Sequence, residues 1–195
     1  PGEPASAVMA RPDADDGLAH DSGPLDPQDA ERFRILILPH LDSAYSFARY
    51  LCRDPVMAED LVQDACLRAI RGFRGFRNGD PRAWLFAIIR SSRMTLARAR
   101  GTLLEDDDSA LETLPTDGPS PETALVQQGE TERLRYAISR LPEPFRETLV
   151  LRELEALSYR DIATVTGAPV GTVMSRLARA RNLLLAALSA EDHRS

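Results

Sequence analysis

The fold is decided by the segment Leu157–Arg181, which reads LSYRDIATVTGAPVGTVMSRLARAR. Ser158, followed three residues later by Asp161, has the pattern of a capping box, so a helix is predicted to begin there. Gly167 is placed to end that helix, because glycine tolerates the left-handed conformation beyond a last turn. A second helix is predicted from about Pro169, with one buried face made by Val173, Leu177, Ala180, Leu184 and Leu188. Two short helices joined by a tight turn form a helix-turn-helix.

The opposite face of the second predicted helix is polar and basic, with Thr172, Ser175, Arg176 and Arg179. No acid occurs from residue 162 to residue 190. Positive charge without nearby carboxylates favours contact with phosphate, and the second helix of such a motif can enter a DNA major groove. A tight helical hairpin also occurs as a purely structural element, so this segment alone leaves both interpretations open.

Charge is segregated along the 195-residue chain, whose formal net charge is −6. Nine arginines and one acid lie between residues 65 and 100, whereas nine acids and no arginine lie between residues 101 and 132. Eight further acids lie between residues 1 and 31. A net-acidic protein of this kind can still present a local basic surface to nucleic acid.

Several other classes of protein do not fit the composition. Two cysteines, Cys52 and Cys66, and three scattered histidines provide neither a disulfide framework nor a metal site, and both cysteines are expected to be buried structural residues. No apolar run approaches the roughly 20 residues of a membrane span, and no secretory signal is recognised. There is no phosphate loop or nucleophile motif. The sequence therefore predicts a cytoplasmic binding protein, not an enzyme, without metal or cofactor.

Cap residues and linkers predict an all-α fold: two small helical domains joined by a flexible acidic linker, the second a four-helix domain with a helix-turn-helix. Asp54–Pro55 and Asp80–Pro81 each predict a helix start, with aspartate as N-cap and proline in the first helical position. The predicted boundaries are a flexible acidic tail over residues 1–29, a first domain over 30–100, the linker over 101–123 and a second domain over 124–190.

The apolar spacing also predicts individual helices and their buried faces. In the first domain, a helical region from about residue 30 to 53 is bent at Pro39. The apolar face of the second helix consists of Val62, Cys66, Ala69, Ile70 and Phe73. The third helix is predicted to point Trp84, Leu85, Ile88 and Ile89 inward. In the second domain, helices are predicted at about residues 124–140, 144–155, 159–166 and 170–188.

Two surfaces of the first domain are candidates for binding. Glu59, Asp60, Gln63 and Asp64 line a polar helix face, which is merely solvated unless a protein partner docks there. A basic surface is predicted on the third helix and the loop before it, from Arg71, Arg74, Arg77, Arg90, Arg93, Arg98 and Arg100. Arginines interleaved with aromatic rings suit single-stranded nucleic acid, although Phe73 and Trp84 are expected to be mostly core. Asn78 and Gly79 are placed to meet an unstacked base.

Taken together, the two halves resemble the extracytoplasmic-function group of bacterial RNA polymerase sigma factors. Residues 54–70, DPVMAEDLVQDACLRAI, resemble the segment of that family that docks on the polymerase clamp helices. Residues 76–100, FRNGDPRAWLFAIIRSSRMTLARAR, resemble the part that recognises and melts the minus-ten promoter element. Residues 141–181, LPEPFRETLVLRELEALSYRDIATVTGAPVGTVMSRLARAR, resemble the domain that reads the minus-thirty-five element.

The resemblance implies an alternative sigma factor that binds core RNA polymerase and promoter DNA, directs promoter-specific initiation and is controlled by an anti-sigma factor. It implies that polymerase is bound by Glu59, Asp60, Gln63 and Asp64. Minus-ten DNA would be bound by Arg77, Asn78, Gly79, Asp80, Arg90, Ser91 and Arg93. Minus-thirty-five DNA would be bound by Tyr159, Thr172, Ser175, Arg176 and Arg179. The acidic linker, with Glu105, Asp106, Asp107 and Asp108, would thread through the polymerase.

Three positions depart from the family pattern. Ser91 stands where members often have Asn, Thr95 where they often have Asp, and Met174 where many have Lys. Met174 thereby becomes an apolar contact for a thymine methyl group. Two other functions stay open at the level of sequence. One is a stand-alone helix-turn-helix regulator, and the other is a sigma-like decoy that binds an anti-sigma factor without touching DNA.

Overall fold

The computed structural model describes residues 25–99 and 129–192, and this part of the chain consists of helices and connecting loops without strands. The all-α fold expected from the sequence is confirmed. The α-helices of the first half are α1 Pro27–Leu36, α2 Leu41–Cys52, α3 Pro55–Gly72 and α4 Pro81–Ala99. Those of the second half are α5 Gly129–Arg140, α6 Glu143–Leu149, α7 Tyr159–Thr166 and α8 Val170–Asp192. Short 3-10 turns occupy Leu38–His40 and Phe73–Gly75, and a π-helical turn occupies Val150–Leu154.

Aspartate–proline pairs start three of the four helices in the first half. The carboxylate of Asp54 accepts a hydrogen bond from the N–H of Val56 at 2.9 Å, and the helix starts predicted at Asp54 and Asp80 are confirmed. Helix α1 begins earlier than the predicted position near residue 30, because Asp26 and Pro27 form the same kind of start. The bend predicted at Pro39 is a complete break with a 3-10 turn, since proline has no N–H to continue the α-helical ladder.

The buried face of α3 differs from the predicted one. Ala58, Leu61, Ala65 and Ala69 are its buried residues, whereas Ile70 is exposed and Val62 and Cys66 are only partly buried. The prediction was therefore wrong for Ile70, whereas Val62 packs against the core from a partly buried position. Small side chains let two helices approach closely, so a face rich in alanine is buried here although a neighbouring face carries larger apolar groups.

An aromatic cluster fills one end of the first domain. The rings of Phe33 and Phe73 lie edge to face at 5.2 Å, and those of Phe76 and Trp84 are 5.1 Å apart. Phe73 is completely buried and Trp84 is partly buried, which confirms that these rings belong mainly to the core. Their role is to hold the loop before α4 against the domain.

The second domain is built around α6, which packs on α8. Arg146 of α6 is buried, and its guanidinium donates to the carbonyl of Ser139 at 3.2 Å and to that of Leu141 at 2.9 Å. These carbonyls lie at the carboxyl end of α5, where helix carbonyls lack partners in the helix itself. Burial lowers the pKa of Arg146 to about 10. Of the predicted helix 124–140, residues 124–128 lie outside the described part.

The two halves pack directly on one another, which the sequence did not predict. Helix α2 contacts α6, and α4 contacts α7. The buried apolar side chains of both halves form one continuous core, from Phe33 in α1 to Ala180 in α8. Because α4 is covered by its own domain on one side and by the second domain on another, Phe86 and Ala87 are buried together with the predicted Leu85, Ile88 and Ile89.

None of the helices within residues 25–99 and 129–192 is long and apolar enough to cross a membrane. In the same part of the chain, no three His, Cys, Asp or Glu side chains converge as metal ligands would. Cys52 and Cys66 are free thiols and only partly buried, and burial raises the pKa of each. Both thiols are therefore held in their neutral, less reactive form.

Candidate nucleic-acid interface

The helix-turn-helix consists of α7, the turn around Gly167 and the first part of α8. The hydroxyl of Ser158 accepts a hydrogen bond from the N–H of Asp161 at 3.2 Å and donates to the Asp161 carboxylate at 2.5 Å. Gly167 adopts the left-handed conformation, with φ 67°, as predicted from the sequence. Ile162, buried in α7, and Val173, buried in α8, belong to the same core. These local features set the angle between the two helices.

The outer face of α8 carries the side chains predicted to read DNA. Ser175 and Arg179 are exposed, whereas Thr172 and Arg176 are partly buried. The Nε atom of Arg176 is buried without a hydrogen-bond partner, so this arginine is held close to the protein surface. Met174 is 54% exposed on the same helix. The structure therefore brings the predicted set together on α8, with Ser175, Arg179 and Met174 most accessible.

Tyr159, the remaining predicted contact of this motif, stands at the first position of α7 and is partly buried. The guanidinium of Arg152 lies over its ring at 5.0 Å from the centroid and donates to the carbonyl of Leu157 at 2.8 Å. Arg181 pairs with Glu153 at 2.6 Å. Sequence reasoning did not find these two arginine contacts, which attach the π-helical turn to the loop before α7 and to α8.

The polar face of α3 is accessible, as the sequence predicted. Glu59, Asp60 and Gln63 are exposed, and Asp64 pairs with Arg68 at 2.8 Å one turn further on. The same side of the helix carries three exposed apolar residues at helical spacing from Asp60 and Gln63. These are Val56, Leu67 and Ile70, with exposed fractions of 65%, 53% and 38%. The exposure of these large apolar side chains reveals the stripe, whereas the sequence pattern places Ile70 on the apolar face of α3.

The loop between α3 and α4 is exposed over Arg77, Asn78 and Gly79. Gly79 has φ 118°, a backbone conformation that side chains rarely adopt, so this turn requires glycine. Asp80 caps α4: its carboxylate accepts from the N–H of Arg82 at 2.8 Å. Within the predicted minus-ten set, Asp80 therefore has a structural partner, whereas the three residues before it face solvent.

Arg90 and Arg93 do not form an open basic surface, and this part of the sequence interpretation needs correction. Nε of Arg90 lies 2.8 Å from a carboxylate oxygen of Glu147, and Arg93 makes a bidentate pair with Glu143. Both glutamates belong to α6 of the second domain. Ser91, between the arginines, is partly buried, and its carbonyl accepts from the Thr95 hydroxyl at 3.0 Å. In this structure the second domain covers the predicted minus-ten arginines of α4.

Comparisons with known proteins match both halves of the chain. The family model described as Sigma-70 region 2 matches residues 36–102, and that described as Sigma-70, region 4 matches residues 131–184. The RNA polymerase sigma-H factor of Pseudomonas aeruginosa is 35% identical over 170 residues, which cover 82% of this chain and 88% of that protein. The ECF RNA polymerase sigma factor EcfG of Rhodopseudomonas palustris is 36% identical over 165 residues, with coverage of 80% and 86%.

Two solved structures have a similar fold. The sigma factor RpoE of Bartonella quintana, in complex with the anti-sigma factor NepR, is 30% identical and superposes with a TM-score of 0.64. The superposition covers 82% of this chain and 98% of that one. CnrH, in complex with the cytosolic domain of CnrY, is 27% identical with a TM-score of 0.57, over 84% and 94% of the two chains.

The fold and its surfaces define a helical protein of two domains. In the second domain a helix-turn-helix exposes the outer face of α8, and in the first domain the arginines of the basic helix α4 are covered by the second domain. The order of the two matched regions along one chain is that of the sigma-70 superfamily. The chain belongs to the extracytoplasmic-function group of RNA polymerase sigma factors. The resemblance recognised in the sequence is thereby confirmed.

Proposed function

We propose that this protein is an alternative sigma factor that binds core RNA polymerase in the cytoplasm, directs promoter-specific initiation and is held in check by an anti-sigma factor. The observation that carries the proposal is the exposed outer face of α8, with Ser175, Arg179 and Met174 free to enter a major groove, in a chain that also contains the first sigma domain. The work of such a protein is binding; the chemistry of RNA synthesis belongs to the polymerase.

Polymerase docking is assigned to the accessible side of α3. Glu59, Asp60, Gln63 and Asp64 supply hydrogen bonds and negative charge, and the apolar stripe of Val56, Leu67 and Ile70 supplies area to bury. Interface centres bury apolar groups within a polar rim, and this side of α3 offers both. A contiguous stripe of exposed apolar side chains is also typical of a protein interaction site.

Recognition of the minus-ten element is assigned to the loop of Arg77, Asn78, Gly79 and Asp80 together with Arg90, Ser91 and Arg93 of α4. The exposed loop offers backbone and amide groups to a base that has left the stack, and such extrusion costs a few kcal/mol. The arginines of α4 would hold the phosphates of the opened strand. Their ion pairs with α6 require that the two domains separate before this contact forms.

Recognition of the minus-thirty-five element is assigned to Tyr159, Thr172, Ser175, Arg176 and Arg179. Arg179 is exposed and lies on the groove-facing side of α8, where a guanidinium can contact guanine or phosphate. Met174 is placed for an apolar contact with a thymine methyl group. Tyr159, fixed by Arg152, would contact phosphate at the start of α7.

Control by an anti-sigma factor is supported by the arrangement of the domains. One similar solved structure is a sigma factor in complex with the anti-sigma factor NepR, and the other is CnrH in complex with the cytosolic domain of CnrY. This chain superposes on each over more than four fifths of its length. A cleft between α2 and α5 is lined by side chains of both domains, including Tyr50, Arg53, Leu134 and Tyr136. A protein segment with acidic and apolar side chains would fit this cleft and hold the domains together.

Transcription in vitro with purified core polymerase tests the proposed function. We expect tight, specific promoter binding only in the presence of core enzyme, whereas a stand-alone regulator would bind without it. Failure to initiate at any promoter of the source genome would favour the decoy. If Arg179 reads a base, Arg179→Ala should reduce the binding free energy of the holoenzyme for minus-thirty-five-dependent promoters by about 1–3 kcal/mol. Binding to the polymerase should be unchanged. Arg34→Ala, which removes another exposed arginine but from α1, is the matched control.

A further inference from the structure

Two glutamates of α6 meet two arginines of α4 where the domains join. Nε of Arg90 lies 2.8 Å from Oε1 of Glu147, and the guanidinium of Arg93 donates to both oxygens of Glu143, with one of these bonds at 2.8 Å. Glu143 and Glu147 are one turn apart on α6, and Arg90 and Arg93 are one turn apart on α4, so the two pairs lie side by side.

The chemistry of these pairs is the chemistry by which arginine holds a phosphate. A guanidinium binds carboxylate and phosphate oxygens with the same fork of N–H donors. The carboxylate of Glu143 thus occupies donors of Arg93 that a DNA strand would need, and the carboxylate of Glu147 lies as a counter-charge against Nε of Arg90. The side chains are also shielded, since Glu147 is 4% exposed and Arg90 is 18% exposed.

We infer that the packed arrangement of the two domains is a self-inhibited state, in which Glu143 and Glu147 compete with DNA phosphates for Arg93 and Arg90. This inference rests on the proposed role of the two arginines in holding the opened strand. It goes further by making the second domain itself the inhibitor of the first, with no partner protein required.

The contact between Glu147 and Arg90 is of a kind that can be broken reversibly when the domains separate. Its Oε1 lies close to Arg90, yet no donor hydrogen is aimed at it, so the buried carboxylate is incompletely compensated. Burial raises the pKa of Glu147 even though Arg90 and Arg93 act in the opposite direction. Desolvation of a buried ion pair can exceed the attraction between its charges, and separation of the domains returns both charges to water. DNA that captures Arg90 would then shift the equilibrium further towards the open state.

The test uses the full chain without polymerase and removes both carboxylates while keeping their shape. In Glu143→Gln/Glu147→Gln, both arginines lose their counter-charge, which penalises the packed arrangement. Small-angle scattering should show a larger radius of gyration than that of the wild-type protein. The Kd for a fluorescein-labelled single-stranded oligonucleotide, measured by fluorescence anisotropy, should fall by about tenfold or more, because the fraction of binding-competent protein rises.

Two further variants separate the inference from simpler explanations. Glu31→Gln/Glu153→Gln also removes two carboxylates, which are exposed and pair with Arg34 and Arg181 within their own domains. It is therefore the matched control for charge and should behave like the wild type. Addition of Arg90→Ala and Arg93→Ala to the open variant should abolish the gain in affinity. Thermal unfolding of every variant checks that each is folded.

Three outcomes would overturn the inference. An unchanged radius of gyration would show that the glutamates do not hold the domains together. Opening without a gain in DNA affinity would show that they do not compete with DNA. An equal gain in Glu31→Gln/Glu153→Gln would reduce the effect to net charge. Failure of the wild-type protein in transcription with core polymerase would refute the proposed function separately, because these measurements are made on the free protein.

Discussion

Substitution of Gly167 by alanine isolates the contribution of the turn in the helix-turn-helix. Gly167 has φ 67°, and a Cβ atom built on it would meet nothing within 4 Å. The substitution therefore introduces no steric clash with the rest of the protein. Its whole effect in the folded state comes from the backbone conformation, which an alanine adopts at a cost.

The expected magnitude follows from two opposing terms. An L-residue in the left-handed region costs roughly 1–2 kcal/mol, and the reduced freedom of the unfolded chain returns about 0.4–1 kcal/mol. The expected net loss for Gly167→Ala is about 1 kcal/mol. A loss of that size lowers Tm by about 4–8 °C if the second domain unfolds by itself, and by about 2–4 °C if the whole chain unfolds as one unit.

Thermal and urea unfolding followed by circular dichroism measure the effect. The matched control is Gly171→Ala, which also places a Cβ in open space but lies in the first turn of α8 without a positive φ. This control should gain about 0.5 kcal/mol, because alanine is the better helix former. Equal stabilisation of both variants would refute the reasoning, since it would mean that the turn does not need the left-handed conformation in solution.

Three other predictions test local features of the same fold. Ser158→Ala should destabilise the protein by about 1 kcal/mol, because the N–H of Asp161 loses its acceptor; an unchanged urea midpoint would show that the cap is not formed. Ala156→Gly should stabilise it by about 0.5–1 kcal/mol in the same assay, because Ala156 has φ 52° and glycine removes the strain; a loss of stability would contradict this. Cys52 and Cys66 should react with iodoacetamide more slowly in the folded protein than in urea, as read by mass spectrometry, because burial raises the pKa of both thiols. Equal rates in the folded and unfolded states would contradict the burial. The raised thiol pKa values also stabilise the folded state below the ordinary thiol pKa, and this stabilisation is lost as the pH rises through the raised values.

Features that depend on a few neighbouring residues were predicted well from the sequence. The N-caps at Asp54, Asp80 and Ser158 and the helix end at Gly167 all lie where expected. Each of these signals is a hydrogen bond or a backbone conformation within four residues along the chain, so no distant contact is needed to form it.

The burial of whole faces was predicted less well. On α3 the large apolar residues Val62 and Ile70 lie at the edge or outside the core, and the alanines are inside. Periodicity shows that a helix has an apolar side, but the shape of the neighbouring helix decides which part of that side is covered. The exposed stripe beside Asp60, which we assign to polymerase binding, was missed for this reason.

By itself the sequence determined the class of fold, the helix-turn-helix and membership of the sigma family, because these depend on local patterns and on residue types in a fixed order. Only the tertiary structure decided the state of the arginines on α4. Arg93 and Glu143 are 50 residues apart in the chain, and their pairing arises because the cores of the two domains join and place α6 beside α4. The sequence pattern predicts Arg93 as an exposed cation, but the carboxylate of Glu143 neutralises it in the folded protein. A pattern of neighbouring residues cannot reveal a contact between residues so far apart in the chain.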